Sequence, residues 1–386
     1  MFKLDTAEII DIQRIIGDIF GNDLHKKRQT SLAYTAMGLL ESNSLFLHDM
    51  GSGMAQKRGT NKKHGIKQID RMLSNPGFDI WQLSANWVPY VIGSKTELMV
   101  ALDWTSFAGD CQHMLSLNIL TSKGCSTPLL WRTVDKSRLK HNRGRYEDQI
   151  LSRLKDILPE RVSVTLVADR GFADRKFFEF IEQTLKFNYM IRIKANTTVK
   201  NAQGIAKKAS EWLEESGKAK SLKDIKLTQG EYPNRQFVSV KDRGMKAAWY
   251  LVSNLEAEAS RTLIKHYSKR WKIEPYFRDV KSGRYGYGLR ETHIKSEERR
   301  DRLFLVVALC YMLLILLGQA GENIGFDKHL KANTVKTRTH SLFRQGQYYL
   351  SYFVHFKPED KKMLIESFAQ LLTQHDFWLA FYDLNK

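Results

Sequence analysis

The stretch VSVTLVAD (162–169) decides the fold. Seven mostly apolar, β-branched-rich residues form a continuous run, too short for a helix and too apolar for a half-exposed strand. Such a run suits a strand covered on both faces, as in a sheet flanked by helices. It ends directly in Asp169. ELMVALD (97–103) repeats the design, a short apolar strand that ends in Asp103. In open α/β sheets the functional crevice lies outside the carboxyl ends of the strands. Two acids delivered there by two strands therefore become the first candidates for chemistry.

Outward from these two strands the sequence predicts HMLSLNIL (113–120) and TPLLWRTV (127–134) as strands, then a helix in YEDQILSRLKDIL (146–158). A helix over 174–185 and the strand NYMIRI (188–193) follow the central run. The order is three strands, helix, strand, helix, strand, which gives a mixed α/β sheet that begins as an antiparallel meander. Residues 1 to about 90 read as helical, with Ile9, Ile10, Ile12, Ile15, Ile16 and Ile19 at near-helical spacing and a second helix over 29–41. Residues 196–245 break the pattern and read as a β-rich insertion with a polar helix near 206–215. AAWYLVS (247–253) returns to strand, 256 to about 281 reads as one long helix, and the last residues, rich in Phe, Tyr and Leu, read as a helical cap.

Composition narrows the partner. The chain has 386 residues, 61 Lys plus Arg, 42 Asp plus Glu and a net charge of +19, so a polyanion is expected. Three cysteines with no close pair argue against a disulfide framework or a Cys-type zinc site, and fit a reducing cytosol. The N-terminal stretch carries acids among its apolar residues, unlike a secretory signal or transit peptide. The longest apolar run, Leu303 to Leu317, has fifteen residues, short of the ~20 that span a bilayer. It is expected to be a buried core helix. With no membrane, nucleic acid is the expected partner. Lys57, Arg58, Lys62, Lys63, Lys67 and Arg71 face a single acid, Asp70, across 57–71. This run is a solvated helix face or a set of phosphate contacts, and its setting favours the second.

The segment HYSKRWKIEPYFRDVKSG (266–283) supplies a third acid. On an uninterrupted helix Tyr267, Arg270, Glu274 and Lys281 fall within an arc of about 60°. That face sets an acid between two cations and a phenol. A solvated face laced with ion pairs explains Arg270 and Glu274. It does not explain Trp271, which beside a basic face is suited to stacking on a base. Pro275, directly after Glu274, is expected to kink or break the helix and so to disturb the place of Lys281. None of the eleven histidines is assigned to a metal.

Tyr-x2-Arg-x3-Glu-x6-Lys, filled here by Tyr267, Arg270, Glu274 and Lys281, resembles the signature of insertion-sequence-four family transposases, within the DDE superfamily. L-D-W-T around Asp103, V-A-D-R-G-F around Asp169 and K-Q-I-D-R-M-L-S-N-P (67–76) resemble the same family, over about residues 60 to 320. The resemblance implies an α/β, RNase H-like mixed-sheet catalytic core interrupted by a β-rich insertion, with helical N- and C-terminal regions. It divides the chain into a DNA-binding region (1–90), two parts of the core (95–195 and 246–320) around the insertion (196–245), and a C-terminal region (321–386) for dimerisation or DNA contact.

It further implies that Asp103, Asp169 and Glu274 are the catalytic acids and hold Mg²⁺, two ions with Mn²⁺ as a substitute. Tyr267, Arg270 and Lys281 would contact phosphates. Trp271 would pack beside or stack on DNA, and Trp249 resembles an aromatic that holds a flipped base. Lys62, Lys63, Lys67 and Arg71 add DNA contacts in the N-terminal region. The implied activity is cut-and-paste transposition by a homodimer on terminal inverted repeats, through a hairpin intermediate, ending in joining to target DNA in a bacterial cytoplasm, at the nucleoid. Two other readings are an RNase H-like nuclease or resolvase that never joins strands, and a catalytically silent DNA-binding descendant. The intact acids argue against the second.

Overall fold

A computed structural model describes residues 12–120, 126–228, 230–256, 259–283 and 286–373. Ile9, Ile10 and Cys125 lie outside the described residues, as do the last thirteen positions of the cap.

Five helices open the described chain: α1 (Ile12–Phe20), α2 (Lys26–Ser42), α3 (Leu47–Arg58), α4 (Lys62–Ser74) and α5 (Ile80–Ile92). Their caps are local. Asn61 Oδ1 accepts from Lys63 N at the start of α4, and Asp79 accepts from Trp81 N and Gln82 N at the start of α5. The buried isoleucines 12, 15, 16 and 19 lie on one face of α1, at the predicted spacing.

The sheet begins with β1 (Glu97–Phe107), β2 (Gln112–Ile119) and β3 (Thr127–Asp135), the predicted antiparallel meander. After the short α6 (Lys136–Leu139) and α7 (Arg143–Ile157), β4 (Ser163–Ala168) enters parallel to β1. A short helix α8 (Arg175–Glu179), continued by a π turn over Phe180–Thr184, leads to β5 (Asn188–Arg192), parallel to β4. Four strands follow, β6 (Thr198–Lys200), β7 (Ala206–Lys208), β8 (Lys220–Leu227) and β9 (Tyr232–Val240), then β10 (Trp249–Ser253). All ten form one mixed sheet in the order β3-β2-β1-β4-β5-β10-β9-β8-β6-β7. The strands of 196–245 thus continue the core sheet, joined through the antiparallel β9–β10 and β10–β5 pairs.

Two predicted elements differ. The polar helix near 206–215 is instead β7 and a 3₁₀ turn over Ala209–Trp212. Pairing of Thr198–Lys200 with Ala206–Lys208 overrides the helical propensity of the Ala, Lys and Glu residues, and Trp212 Nε1 donates to the Val199 carbonyl at 3.1 Å. The long helix over 256–281 is α9 (Ser260–Ser268), a 3₁₀ turn over Lys269–Lys272, and α10 (Ile273–Lys281).

The apolar run becomes the centre of α11 (Glu297–Asn323). This is the one described helix long and apolar enough to cross a bilayer, and its apolar window is wholly buried inside the protein. α11 packs on α2, β3, α12 (Leu342–Tyr352) and α13 (Pro358–Thr373). The crossing with α12 is so close that a Cβ at Gly346 would run into the Leu314 carbonyl oxygen. At its N-terminal end α11 covers the edge of β3: Thr133 N and Oγ1 donate to Asp301 Oδ1 at 2.9 and 2.7 Å. That contact leaves the Thr133 N–H unavailable for pairing with another chain. Helices on a mixed sheet, with a parallel β1-β4-β5 centre and an antiparallel β2-β3 flank, form the RNase H-like arrangement.

Candidate active site

The ladder between β1 and β4 ends with the pair Leu102 and Ala168. The next residue on each chain segment is an aspartate: Asp169 follows the end of β4, whereas Asp103, expected to end its strand, lies inside β1, which stays paired with β2 as far as Phe107. The two acids stand side by side where the β1–β4 ladder stops, on strands about 4.8 Å apart. Their carboxylates are tethered alike. Asp103 Oδ1 accepts from Trp104 N at 2.9 Å, and Asp169 Oδ1 from Gly171 N at 2.7 Å. A Cβ on Gly171 would lie 3.0 Å from Asp169 Oδ1, so glycine keeps this turn open. In both residues Oδ1 is held by the backbone and Oδ2 faces outward.

Both Oδ2 atoms face the same group. Arg270 Nη2 lies 3.7 Å from Asp103 Oδ2 and 3.7 Å from Asp169 Oδ2, and its Nη1 lies 3.9 Å from Glu274 Oε1. The three predicted acids therefore converge from β1, the β4 end and α10 on one guanidinium. Among the described residues no group of three or more His, Cys, Asp or Glu side chains is placed closely enough to hold a metal ion. Arg270 stands between the acids. Burial pushes the Asp103 carboxyl up from 3.8 to about 6; Arg270 pulls it down, and Asp169 and Glu274 push it further up.

The 3₁₀ turn ahead of α10 explains how the acids and Arg270 meet. It places Glu274 second in α10 and Pro275 third. There Pro275 sits in the first turn, where an N–H has no partner inside the helix, and so the proline is tolerated.

Lys281 follows Glu274 by seven residues within α10, so it keeps nearly the same face but sits about 10 Å further along the axis. It is buried against β1 instead: Nζ donates to Thr105 Oγ1 at 2.7 Å and to the Ser106 carbonyl at 2.9 Å. Burial, together with Arg290 and Arg300, lowers its pKa to about 8. Lys281 thus ties α10 to the strand that carries Asp103, and is not poised for phosphate contact.

The aromatic residues come together beside Arg270. Tyr267 is buried edge-on against Trp249 at 5.2 Å, and Trp249 stacks on Trp271 at 6.5 Å. Arg270 lies 5.8 Å from the Trp271 ring, which remains 45% exposed. Burial pushes the Tyr267 phenol up to about 12, so it is neutral at any working pH. Lys62, Lys63, Lys67 and Arg71 are exposed on α4.

One group of site residues escapes the sequence reading. Trp104 Nε1 and Arg143 Nε donate to the same Glu147 oxygen at 2.7 and 3.0 Å, and Arg143 lies over the Trp104 and Phe172 rings. This cluster braces the residues next to both aspartates against α7. The spacing of Arg143 and Glu147 marks an i,i+4 pair; Trp104 and Phe172 lie in the L-D-W-T and V-A-D-R-G-F segments, but only the fold brings them together on Arg143.

The three acids thus converge at one place on an RNase H-like sheet. Residues 136–313 match the family described as Transposase DDE domain. The match supports a DDE transposase, and such enzymes generally use divalent metal ions. It includes Asp169, Arg270 and Glu274, while Asp103 lies ahead of it and is joined to them by the sheet register. No curated protein matches the chain.

Proposed function

We propose that this chain is a cut-and-paste DNA transposase of the insertion-sequence-four kind, with Asp103, Asp169 and Glu274 as its catalytic acids. The observation that carries this reading is the matched pair of aspartates, each with Oδ1 tethered and Oδ2 turned to a point shared with Glu274. The donors are all hard carboxylate oxygens and a positive charge already sits at their focus, which fits Mg²⁺ or Mn²⁺. Two such ions held by these acids would activate the attacking oxygen and stabilise the leaving oxygen of an in-line displacement.

The chain's own residues bind and orient. Exposed Lys62, Lys63, Lys67 and Arg71 carry the DNA backbone, and Arg270 supplies a planar fork for a phosphodiester. Water first breaks the P–O bond at the element's end and frees a 3′-OH. That 3′-OH attacks the opposite strand to form a hairpin, water reopens it, and the 3′-OH then attacks target DNA. Each step is the same displacement with a different attacking oxygen, so one site serves them all. A hairpin needs an unstacked base, at a cost of a few kcal/mol. Stacking on Trp249 or Trp271 offsets about 1–3 kcal/mol of this. A homodimer holding two paired ends in the bacterial cytoplasm completes the reading.

The test is cleavage of the element's end DNA with Mg²⁺. Glu274→Gln should cut at least about 10³-fold more slowly than wild type and still bind the DNA. Undiminished cutting sinks the assignment. Cutting without strand-transfer products on a plasmid target would point to a nuclease, and binding without nicking under Mg²⁺ or Mn²⁺ to a silent descendant.

A further inference from the structure

The three acids have one cation of the chain's own among them, and it is loosely seated. Arg270 is 8% exposed. Its contacts of 3.7, 3.7 and 3.9 Å to Asp103, Asp169 and Glu274 are ion contacts. They are longer than the roughly 2.7–2.9 Å of a charge-assisted hydrogen bond. Its Nε is buried and has no hydrogen-bond partner among the described residues. The guanidinium is therefore held in place by the field of the carboxylates and not by bonds that would have to break. Its presence is nonetheless needed, because carboxylates crowded at a partly buried site without a counter-charge repel one another strongly.

We propose that Arg270 is the resident counter-ion of the metal-free site, occupying the place between the acids that a divalent cation takes, so that guanidinium and metal exchange. This rests on the reading of Asp103, Asp169 and Glu274 as metal-holding residues. Two consequences follow from it. Metal entry costs the displacement of Arg270, so the metal-free chain binds the ion more weakly than its carboxylates alone would. The displaced guanidinium, beside the Trp271 ring, is then free for a phosphodiester. By thermodynamic reciprocity, DNA that holds Arg270 away from the acids tightens metal binding, and metal tightens DNA binding to the same degree.

The experiment is calorimetric titration of the full chain with Mn²⁺, without DNA, for wild type, Arg270→Gln and Arg270→Lys, with melting curves at zero and saturating Mn²⁺. Arg270→Gln should bind Mn²⁺ at least about tenfold tighter than wild type, an estimate that follows from relieving competition by one charge. It should melt lower than wild type without metal, and the gap should close with Mn²⁺. Arg270→Lys retains a charge but not the fork that spans all three acids, so it should bind Mn²⁺ several-fold tighter than wild type. It keeps the test alive should the glutamine variant fail to fold. Equal or weaker Mn²⁺ binding in the folded variants overturns the exchange while leaving the metal reading intact. Absence of Mn²⁺ binding in wild type and variants alike overturns both.

Discussion

Asp103 shows how the site trades stability for reactivity. Its folded pKa is about 6 against 3.8 for a free carboxyl. The metal-free folded chain therefore holds its proton more tightly than the unfolded chain does. The sign follows: stability is fully present below about pH 4 and declines as pH rises toward 6. Above that, the ionised carboxylate is a standing cost in the absence of metal. Asp103→Asn keeps the shape and removes the charge. In chemical denaturation at pH 7 without metal it should be more stable than wild type by about 1–3 kcal/mol, and the gap should vanish near pH 4. A variant that is less stable than wild type at pH 7 would show that Arg270 outweighs burial at this position.

Among the elements, the segment from α9 to α10 repays attention because proline usually breaks a helix. Here the break comes earlier, at Lys269–Lys272, and Pro275 falls in the first turn of α10. Pro275→Ala should therefore change stability by less than about 1 kcal/mol and leave cleavage close to wild type, where a proline in a helix interior is worth ~3 kcal/mol. A gain approaching that larger figure, measured by denaturant unfolding, would place Pro275 in strain. The same element shows what periodicity misses. Tyr267, Arg270 and Glu274 gather at the site although the 3₁₀ turn lies between the first and the last of them. Lys281, at the far end, is carried onto Thr105 and Ser106. The end of β4 was legible because a buried parallel strand needs a continuous apolar run, which stops at Asp169; Asp103 instead lies within β1, whose pairing with β2 continues past it. The β7 stretch was not legible, because its strand character comes from pairing with another strand, β6, and not from its own residues.

At the scale of the whole molecule, the charge excess separates into two uses. Residues 261–302 hold 13 Lys and Arg against 6 Asp and Glu, but much of this positive charge is engaged inside the protein. Arg300 is fully buried and donates to Asp110, Gln112 and the Ile294 carbonyl. Arg299 pairs with Asp70 at 2.7 Å, and Arg302 donates to the Phe78 and Leu73 carbonyls. These arginines fasten α11 to α4, the α4–α5 loop and the 3₁₀ turn of Ala108–Asp110 before β2. Lys62, Lys63, Lys67 and Arg71 stay in water. End-DNA affinity should fall steeply with salt, and replacing those four residues by alanine should reduce the slope of log affinity against log salt by about 3–4. An unchanged slope, read from binding isotherms between 50 and 200 mM salt, would put the phosphate path elsewhere.

By itself the sequence determined the layered fold, the two aspartates that follow apolar strand runs and the third acid on a basic helical segment. These follow from local rules: which runs are buried on both faces, where such a run must end, and which residues recur on one face. The tertiary structure alone decided which cations serve DNA and which serve the core, that Lys281 braces β1, and that Arg270 lies at the focus of three carboxylates. A charged side chain gains or loses its role by what surrounds it within a few ångströms, and those neighbours come from segments that only folding brings together.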